Sequence, residues 1–307
     1  MKIAITGSEG FIGGRLVSIL TAAGHRVLGV DNLSLGQPAP LEGGRYDFAR
    51  VDICSAGTVF GTLELFRPDQ IVHLAAIHHI PTCERDAPRA LHVNVVGTEI
   101  VLEAALRIGC GRIVFASSGA VYDWCEGSLQ ADKTPTKPRD VYSISKLTNE
   151  HQLAVWQRKT NGIVVIARLF NTIGPNDRNG HLIPDILGQL RNAERPCVVE
   201  LGNTTTLRDY MYVDDAASAL ARMVEAKFEP GTHVFNVGTG QEHSALDIVD
   251  RLAAILGVSY VTRTNASRIR KVDRPSQKAD ISLTVSRLGW VPEHSLEEAL
   301  RLTVAES

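Results

Sequence analysis

The chain has no surplus charge to offer a polyanion. Its 32 lysines and arginines stand against 34 aspartates and glutamates, a formal net charge of −2. That leaves no basic field for nucleic acid or an acidic membrane. No apolar run reaches the ~18 residues needed to cross a bilayer, so no membrane span is expected. The five cysteines (Cys54, Cys83, Cys110, Cys125 and Cys197) are odd in number, scattered and without CxxC spacing. They argue against a disulfide frame or a zinc site and read as reduced thiols of a cytoplasmic protein. The first residues already form a strand pattern, so no cleavable signal is expected. Internal repeats, low-complexity tracts and an obvious interdomain linker are also missing. What remains is an ordinary globular composition: 307 residues, 44% hydrophobic and 21% charged, enough for one large or two modest domains.

The first sixteen residues organise the rest. Lys2–Thr6 is a short apolar run, Gly7-Ser8-Glu9-Gly10-Phe11-Ile12-Gly13 follows at once, and a helical pattern starts at Gly14. Strand, glycine turn and helix open a dinucleotide-binding unit. Gly7 permits the tight turn, Gly10 lets backbone approach a pyrophosphate, and Gly13 lets helix pack on strand. The phosphate rests on the unpaired N–H groups and positive end of that helix. The spacing is GxxGxxG, which by itself also fits a plain strand–loop–helix. A second strand, His25–Val30, ends in Asp31, placed to accept both adenosine ribose hydroxyls and to repel a 2′-phosphate. No arginine follows directly, so NAD is expected rather than NADP. Asp52, at the end of the next strand pattern (48–53), reads equally as an adenine contact or as a turn residue.

Strand and helix patterns then alternate: a helix over 58–66, a strand over 70–76, a long amphipathic helix over 90–108, a strand over 112–118, a helix over 142–159 and a strand over 162–168. This rhythm implies a parallel sheet with helices on both faces. Beyond Phe170 it loosens, with a helix over 216–226 and a strand over 232–238. The expected fold class is therefore α/β, a Rossmann-type doubly wound parallel sheet with a smaller α/β substrate-binding lobe. Residues 1–170, rejoined by segments around 208–238, form the NAD-binding domain, and 171–307 form mainly the substrate lobe.

Tyr142 and Lys146 stand four apart on one helical face. A free tyrosine has a pKa of ~10. An ammonium beside it and the charge of an oxidised nicotinamide would favour the phenolate and make it an acid/base for a sugar hydroxyl. Ser117 and Ser118 end the preceding strand, at the mouth of the sheet, where a hydroxyl can steady the developing carbonyl. A surface Tyr/Lys pair is the bland alternative, and the chain order of the three features argues against it.

These motifs together resemble the extended short-chain dehydrogenase/reductases, in their nucleotide-sugar epimerase/dehydratase branch. The resemblance runs nearly end to end, through Gly7-x-x-Gly10-x-x-Gly13, Asp31–Ser34, His73–Ala76, Asn94–Thr98, Ser117-Ser118, Tyr142-x-x-Ser145-Lys146, Arg168–Asn171, Gly174-Pro175, Arg208–Asp215, Phe235–Gly240 and Leu288-Gly289-Trp290. It implies Ser118, Tyr142 and Lys146 as catalytic residues. It implies cofactor contacts from Gly7, Gly10, Phe11, Ile12, Gly13, Asp31, Asn32, Asp52, Ile53, Leu74, Ala75, Ala76, Asn94, Tyr142 and Lys146. Substrate contacts are implied from His78, Ser118, Asn171, His181, Leu182, Arg208, Arg270 and Asp273. Arg270 is the second phosphate arginine by register, ten residues before Asp280, in a stretch with Val272 where relatives carry glycine. Arg274 is its rival, and a merely solvated basic run is the third possibility.

Dehydratase relatives carry acidic residues after the catalytic serine, and decarboxylating relatives a glutamate. Gly119-Ala120 can transfer no proton, so the resemblance points to 4-epimerisation of a UDP-sugar through a transient 4-keto sugar. Dehydratase, decarboxylase and 4-keto reductase activities remain alternatives, as does a non-enzymatic NAD-binding regulator. Gln277 falls where some relatives limit the C2 substituent. His78 and His79, being adjacent at a strand end, are not expected to converge on a metal. The long helices over 90–108 and 142–159 are expected to form a homodimer contact, with Val93, Val101, Leu153 and Trp156 as candidate apolar positions.

Overall fold

The computed structural model describes residues 1–35, 44–177, 179–192, 197–269 and 273–306. Seven parallel strands form its main sheet, in the spatial order Gly231–Val237, Ile163–Leu169, Arg112–Ser118, Gln70–His73, Lys2–Thr6, Arg26–Asp31 and Tyr46–Arg50. The order reverses between Lys2–Thr6 and Gln70–His73, the switch point at which doubly wound sheets open a crevice for ligands. The inner strands are continuous runs of Val, Ile and Ala because both faces are covered.

One face is covered by helices Gly13–Ala22 and Val213–Glu225, through Leu16, Val17, Leu20, Ala216, Leu220 and Val224. The other is covered by Ala56–Phe66, Gly97–Ile108 and Val141–Thr160, through Val59, Leu63, Val101, Leu102, Leu153 and Trp156. Of the four apolar positions weighed for a subunit contact, Val101, Leu153 and Trp156 are thus internal core, and Val93 packs partly buried against the same cluster. A third cluster, with Ile183, Ile186, Leu187, Val199, Tyr210, Ile248 and Leu252, holds later segments over the carboxyl ends of the strands. Short pairings there join Leu207–Arg208 to Ser276–Ala279 and Asn171–Ile173 to Tyr210–Tyr212.

The expected helix over 90–108 is interrupted. Ala87–Leu91 and Gly97–Ile108 are α-helical, and His92–Val96 between them is a π-helical turn. The wider turn turns carbonyls toward side chains: Asn94 O accepts from Thr98 Oγ1 (2.5 Å) and Asn149 Nδ2 (2.8 Å), and Val95 O from Gln152 Nε2 (3.1 Å). Gly109 ends the helix at φ +69°. Among the described residues no helix is long and apolar enough to cross a membrane.

Candidate active site

A cleft of about 930 Å³ lies across the carboxyl ends of the strands. At its floor Gly7 adopts φ +74°, and a Cβ there would stand 2.8 Å from Ala75 N. A Cβ on Gly13 would stand 2.0 Å from Gly7 O, so only glycine lets the helix start this close to the strand. No side chain caps the Gly13–Ala22 helix and no acid occupies its first turn. Its N-terminal dipole therefore faces a wall built for an anion. Asp31 sits at the rim, with Oδ2 accepting from Glu9 N (3.1 Å) and Oδ1 from Leu33 N (2.8 Å). Asp52 accepts from Cys54 N (2.9 Å) and Asn32 Nδ2 (3.1 Å), which lowers its pKa. It therefore serves as a turn residue and lines the cleft as well. A pyrophosphate fits the glycine cradle and a ribose diol fits Asp31.

Phe11, Ile12, Asn32, Ile53, Leu74, Ala75 and Ala76 line the same cleft. Asn94 does not. It is buried behind the wall, where its amide binds both Ile77 N (2.8 Å) and Ile77 O (2.9 Å) and donates to Ser145 Oγ (3.0 Å). These bonds hold the strand-end loop. His73 is likewise buried, between Thr6 Oγ1 (2.6 Å) and Thr98 Oγ1 (2.9 Å), and burial pushes its pKa down to about 3.

Asp140 caps the Val141–Thr160 helix by accepting from Ser143 N (2.8 Å), and so fixes Tyr142 in the first turn and Lys146 one turn on. Lys146 Nζ donates to Ala116 O (2.7 Å), 4.8 Å over the Phe115 ring and 5.8 Å from the Tyr142 ring centre. Ser118 Oγ accepts from Ala120 N (3.1 Å), and the serine hydroxyl lies near enough to the Tyr142 hydroxyl to lower its pKa. Burial raises the Tyr142 pKa, and the neighbouring Ser118 hydroxyl offsets only part of that. Burial also lowers Lys146, to about 7. In both groups the loss of water favours the neutral form. Behind them Glu150 Oε1 accepts from Ser117 Oγ (2.5 Å) and Arg168 Nε (3.0 Å), and Glu150 Oε2 from Arg168 (2.7 Å), a buried network locking strand to helix.

Asn171, Arg208 and Asp273 reach the cleft. Arg208 is itself held, donating to Asp273 Oδ1 (2.7 Å), Arg274 O (2.7 Å) and Leu207 O (2.8 Å). Arg270 lies outside the described residues. Its rival Arg274 is buried, its pKa pushed down to about 10 by desolvation, and it donates to the carbonyls of Gly119 (3.2 Å), Tyr122 (3.0 Å) and Asp123. It fastens the turn after Ser118. Gln277 lines the cleft beside Gly119.

His78 and His79 both pack near a third ring, His181, at 5.5 Å from each. Among the described residues no group of three or more His, Cys, Asp or Glu is arranged to hold a metal ion. His181 Nδ1 is 2.6 Å from Asp177 Oδ2. Leu182 follows at the start of the helix Leu182–Asn192 and also lines the cleft. Asp177, Glu9, Trp124 and Arg139 are cleft residues that motif reading did not single out. For Asp177 the signal was its place four residues before His181.

Residues 3–238 match the family described as NAD dependent epimerase/dehydratase. The chain belongs to that family. The family is NAD-dependent, and NAD is the cofactor its glycine cradle accommodates. As a family member the chain is 31% identical over 311 residues to the UDP-glucose 4-epimerase of Mycolicibacterium smegmatis, covering 99% of this chain and 97% of that one. It is 29% identical over 339 residues to a dTDP-glucose 4,6-dehydratase of Escherichia coli, at 99% and 92% coverage. Among solved structures, the Thermus thermophilus UDP-glucose 4-epimerase complexed with NAD superposes with a TM-score of 0.88 at 28% identity, covering 100% of this chain and 98% of that one. The chain is thus a nucleotide-sugar epimerase/dehydratase family member, and its relatives include epimerases, dehydratases and a GDP-6-deoxy-D-mannose reductase.

Proposed function

We propose that the chain is an NAD-dependent 4-epimerase of a nucleotide-diphosphate hexose, with a UDP-sugar as substrate. The observation that carries this reading is the grouping of Ser118, Tyr142 and Lys146 on one cleft wall, followed by Gly119-Ala120. That dipeptide places no proton-transferring side chain next to the serine. When bound, NAD accepts hydride from C4 and returns it, and its positive charge favours the phenolate that burial disfavours. Tyr142 takes the C4 hydroxyl proton, and Ser118 donates to the oxygen as it becomes a carbonyl. Lys146, tied to Ala116 O, steadies the ribose side and the phenolate. The 4-keto sugar turns over, and Tyr142 returns the proton after hydride reaches the opposite face. A sugar that must turn cannot be gripped, so the nucleotide diphosphate supplies the binding energy, through Asn171, Arg208 and Arg270.

The test is incubation of the pure protein with UDP-glucose, UDP-N-acetylglucosamine and UDP-glucuronate without added NAD, with product stereochemistry read by NMR. Inversion at C4 supports the reading. Net NADH consumption, or loss of water or CO2, replaces it with a reductase, dehydratase or decarboxylase. Turnover that survives Tyr142→Phe removes the assigned base. NAD in place of NADP follows from Asp31, and all five cysteines are free, as suits the cytoplasm. We also propose a homodimer, now through the outer apolar residues Val96, Leu106, Ile144 and Val155, which are exposed on the same helices. A monomeric mass in solution would refute it.

A further inference from the structure

We infer that Asp209 is a positioning residue of the nucleotide-binding wall, a buried carboxylate that sets Asn171, Arg208 and Gln277 in place against the cofactor sheet. The inference rests on the reading that the cleft takes a nucleotide sugar. Asn171, Arg208 and Gln277 line the cleft, and each comes from a different segment of the chain. Asp209 stands behind them, 1% exposed. Its main chain joins two of the three: Asp209 O accepts from Asn171 N (3.1 Å), and Asp209 N donates to Gln277 O (3.1 Å). The third, Arg208, is its neighbour in sequence and lies opposite Gln277 where Leu207–Arg208 pairs with Ser276–Ala279.

The side chain ties the same point to the main sheet. Oδ1 accepts from Thr239 N (2.8 Å) and Thr239 Oγ1 (2.6 Å), and Oδ2 from Gly240 N (2.8 Å) and Ala279 N (3.2 Å). Thr239 and Gly240 follow the strand Gly231–Val237, and Asn171 follows its neighbour Ile163–Leu169. Phe170 N donates to Val237 O (2.9 Å) where the two strands end. Asp209 thus sits where two main-sheet strands run out and the short strands of the smaller lobe begin.

A carboxylate suits this place because four donors converge on its two oxygens. An amide of the same shape would turn N–H groups against two of them. Burial raises the Asp209 pKa, and the bonds from Thr239, Ala279 and Gly240 draw it back only in part. All four donors are neutral groups. A buried charge held in this way is costly to place, and a fully satisfied network of this kind fixes one arrangement of the segments it joins. The packing is equally tight: a Cβ on Gly238 would stand 3.0 Å from Asp209 Oδ2 and 2.9 Å from Ala279 Cβ. The wall facing the nucleotide is therefore set from behind by Asp209, whereas the glycine cradle is set by the turn at Gly7 and the start of the helix Gly13–Ala22. Loosening Asp209 should weaken the nucleotide and spare NAD.

The test titrates the NAD-loaded protein with UDP, dTDP and GDP by calorimetry and measures retained NAD separately. Expected for Asp209→Asn is nucleotide affinity weaker by at least about tenfold, with NAD retention within about twofold of the parent. Gly238→Ala, which crowds the carboxylate and keeps its charge, weakens nucleotide affinity about threefold, and thermal unfolding checks that each variant is folded. A folded Asp209→Asn that binds nucleotide like the parent overturns the inference, as does a parallel loss of nucleotide and NAD. If Asp209→Asn does not fold, a folded Gly238→Ala that binds like the parent overturns it instead. Failure of both to fold marks a purely structural knot and overturns it too. A parent that takes up none of the three nucleotides removes the nucleotide wall, and this inference with it. C4 inversion of UDP-hexoses is scored separately. Binding without inversion sinks the epimerase reading and leaves this one, and inversion with unchanged binding in the variants does the reverse.

Discussion

The two ends of one cleft differ in how they are built. The cofactor end is made of backbone and short sequence intervals: the glycine turn, the bare start of the Gly13–Ala22 helix, and Asp31 at the end of the next strand. The sugar end is made of side chains gathered from distant segments, with His78 and His79 against His181 and Asp177, and Arg274 reaching back to the turn after Ser118. Geometry at the first end is enforced by sterics that leave no substitute. At the second it is enforced by hydrogen bonds that other residues could replace. One fold thereby keeps its redox partner constant while relatives vary the sugar chemistry.

The contrast can be broken experimentally, beginning where the effect is largest. Tyr142→Phe keeps the ring and removes the proton carrier, so turnover falls by about 10²–10⁴, measured with saturating UDP-sugar. Glu150→Ala, behind both ends, strands the buried Arg168 guanidinium and costs about 3–5 kcal/mol in denaturant unfolding. An unchanged midpoint would mean that the network adds nothing to stability. Gly13→Ala, at the cofactor end, drives a Cβ into Gly7 O and costs about 3 kcal/mol, together with NAD retention on purification. Gly188→Ala, in the exposed middle of the Leu182–Asn192 helix where a Cβ meets nothing, is expected to stabilise by about 0.5–1 kcal/mol. If the two glycines respond alike, the distinction between an enforced end and a replaceable one fails.

A pH series gives the smallest and most specific signal. Lys146 has its pKa lowered from its ordinary value to about 7, so between about pH 7 and about 10 the unfolded chain binds the extra proton. Stability from this group therefore rises with pH across that window. Lys146→Met removes that rise. Parallel slopes of unfolding free energy against pH in the two proteins would contradict the burial assigned to the amine.

Much of the fold was readable because its signals are local. Strands Lys2–Thr6 and Arg112–Ser118 appear where apolar runs end in turn residues, and Gly109 stops its helix as expected. The Tyr142/Lys146 spacing and the register of Ser118 needed only helix and strand periods. The packing of His78 and His79 against His181 was not readable, because the third ring arrives about a hundred residues later. The π turn at His92–Val96 escaped because an amphipathic pattern does not register one inserted residue. The burial of Tyr142 was not readable, because spacing reveals a neighbouring charge but not the depth at which water is lost.

By itself the sequence determined the glycine cradle, the alternation of strand and helix, and the order and spacing of Ser118, Tyr142 and Lys146. Each follows from sterics or from a repeat of two or 3.6 residues. Only the tertiary structure decided which arginine fastens a turn, which asparagine stands behind the wall, and which carboxylate holds an imidazole. Those choices depend on burial and on contacts between segments far apart in the chain, and no local period encodes either.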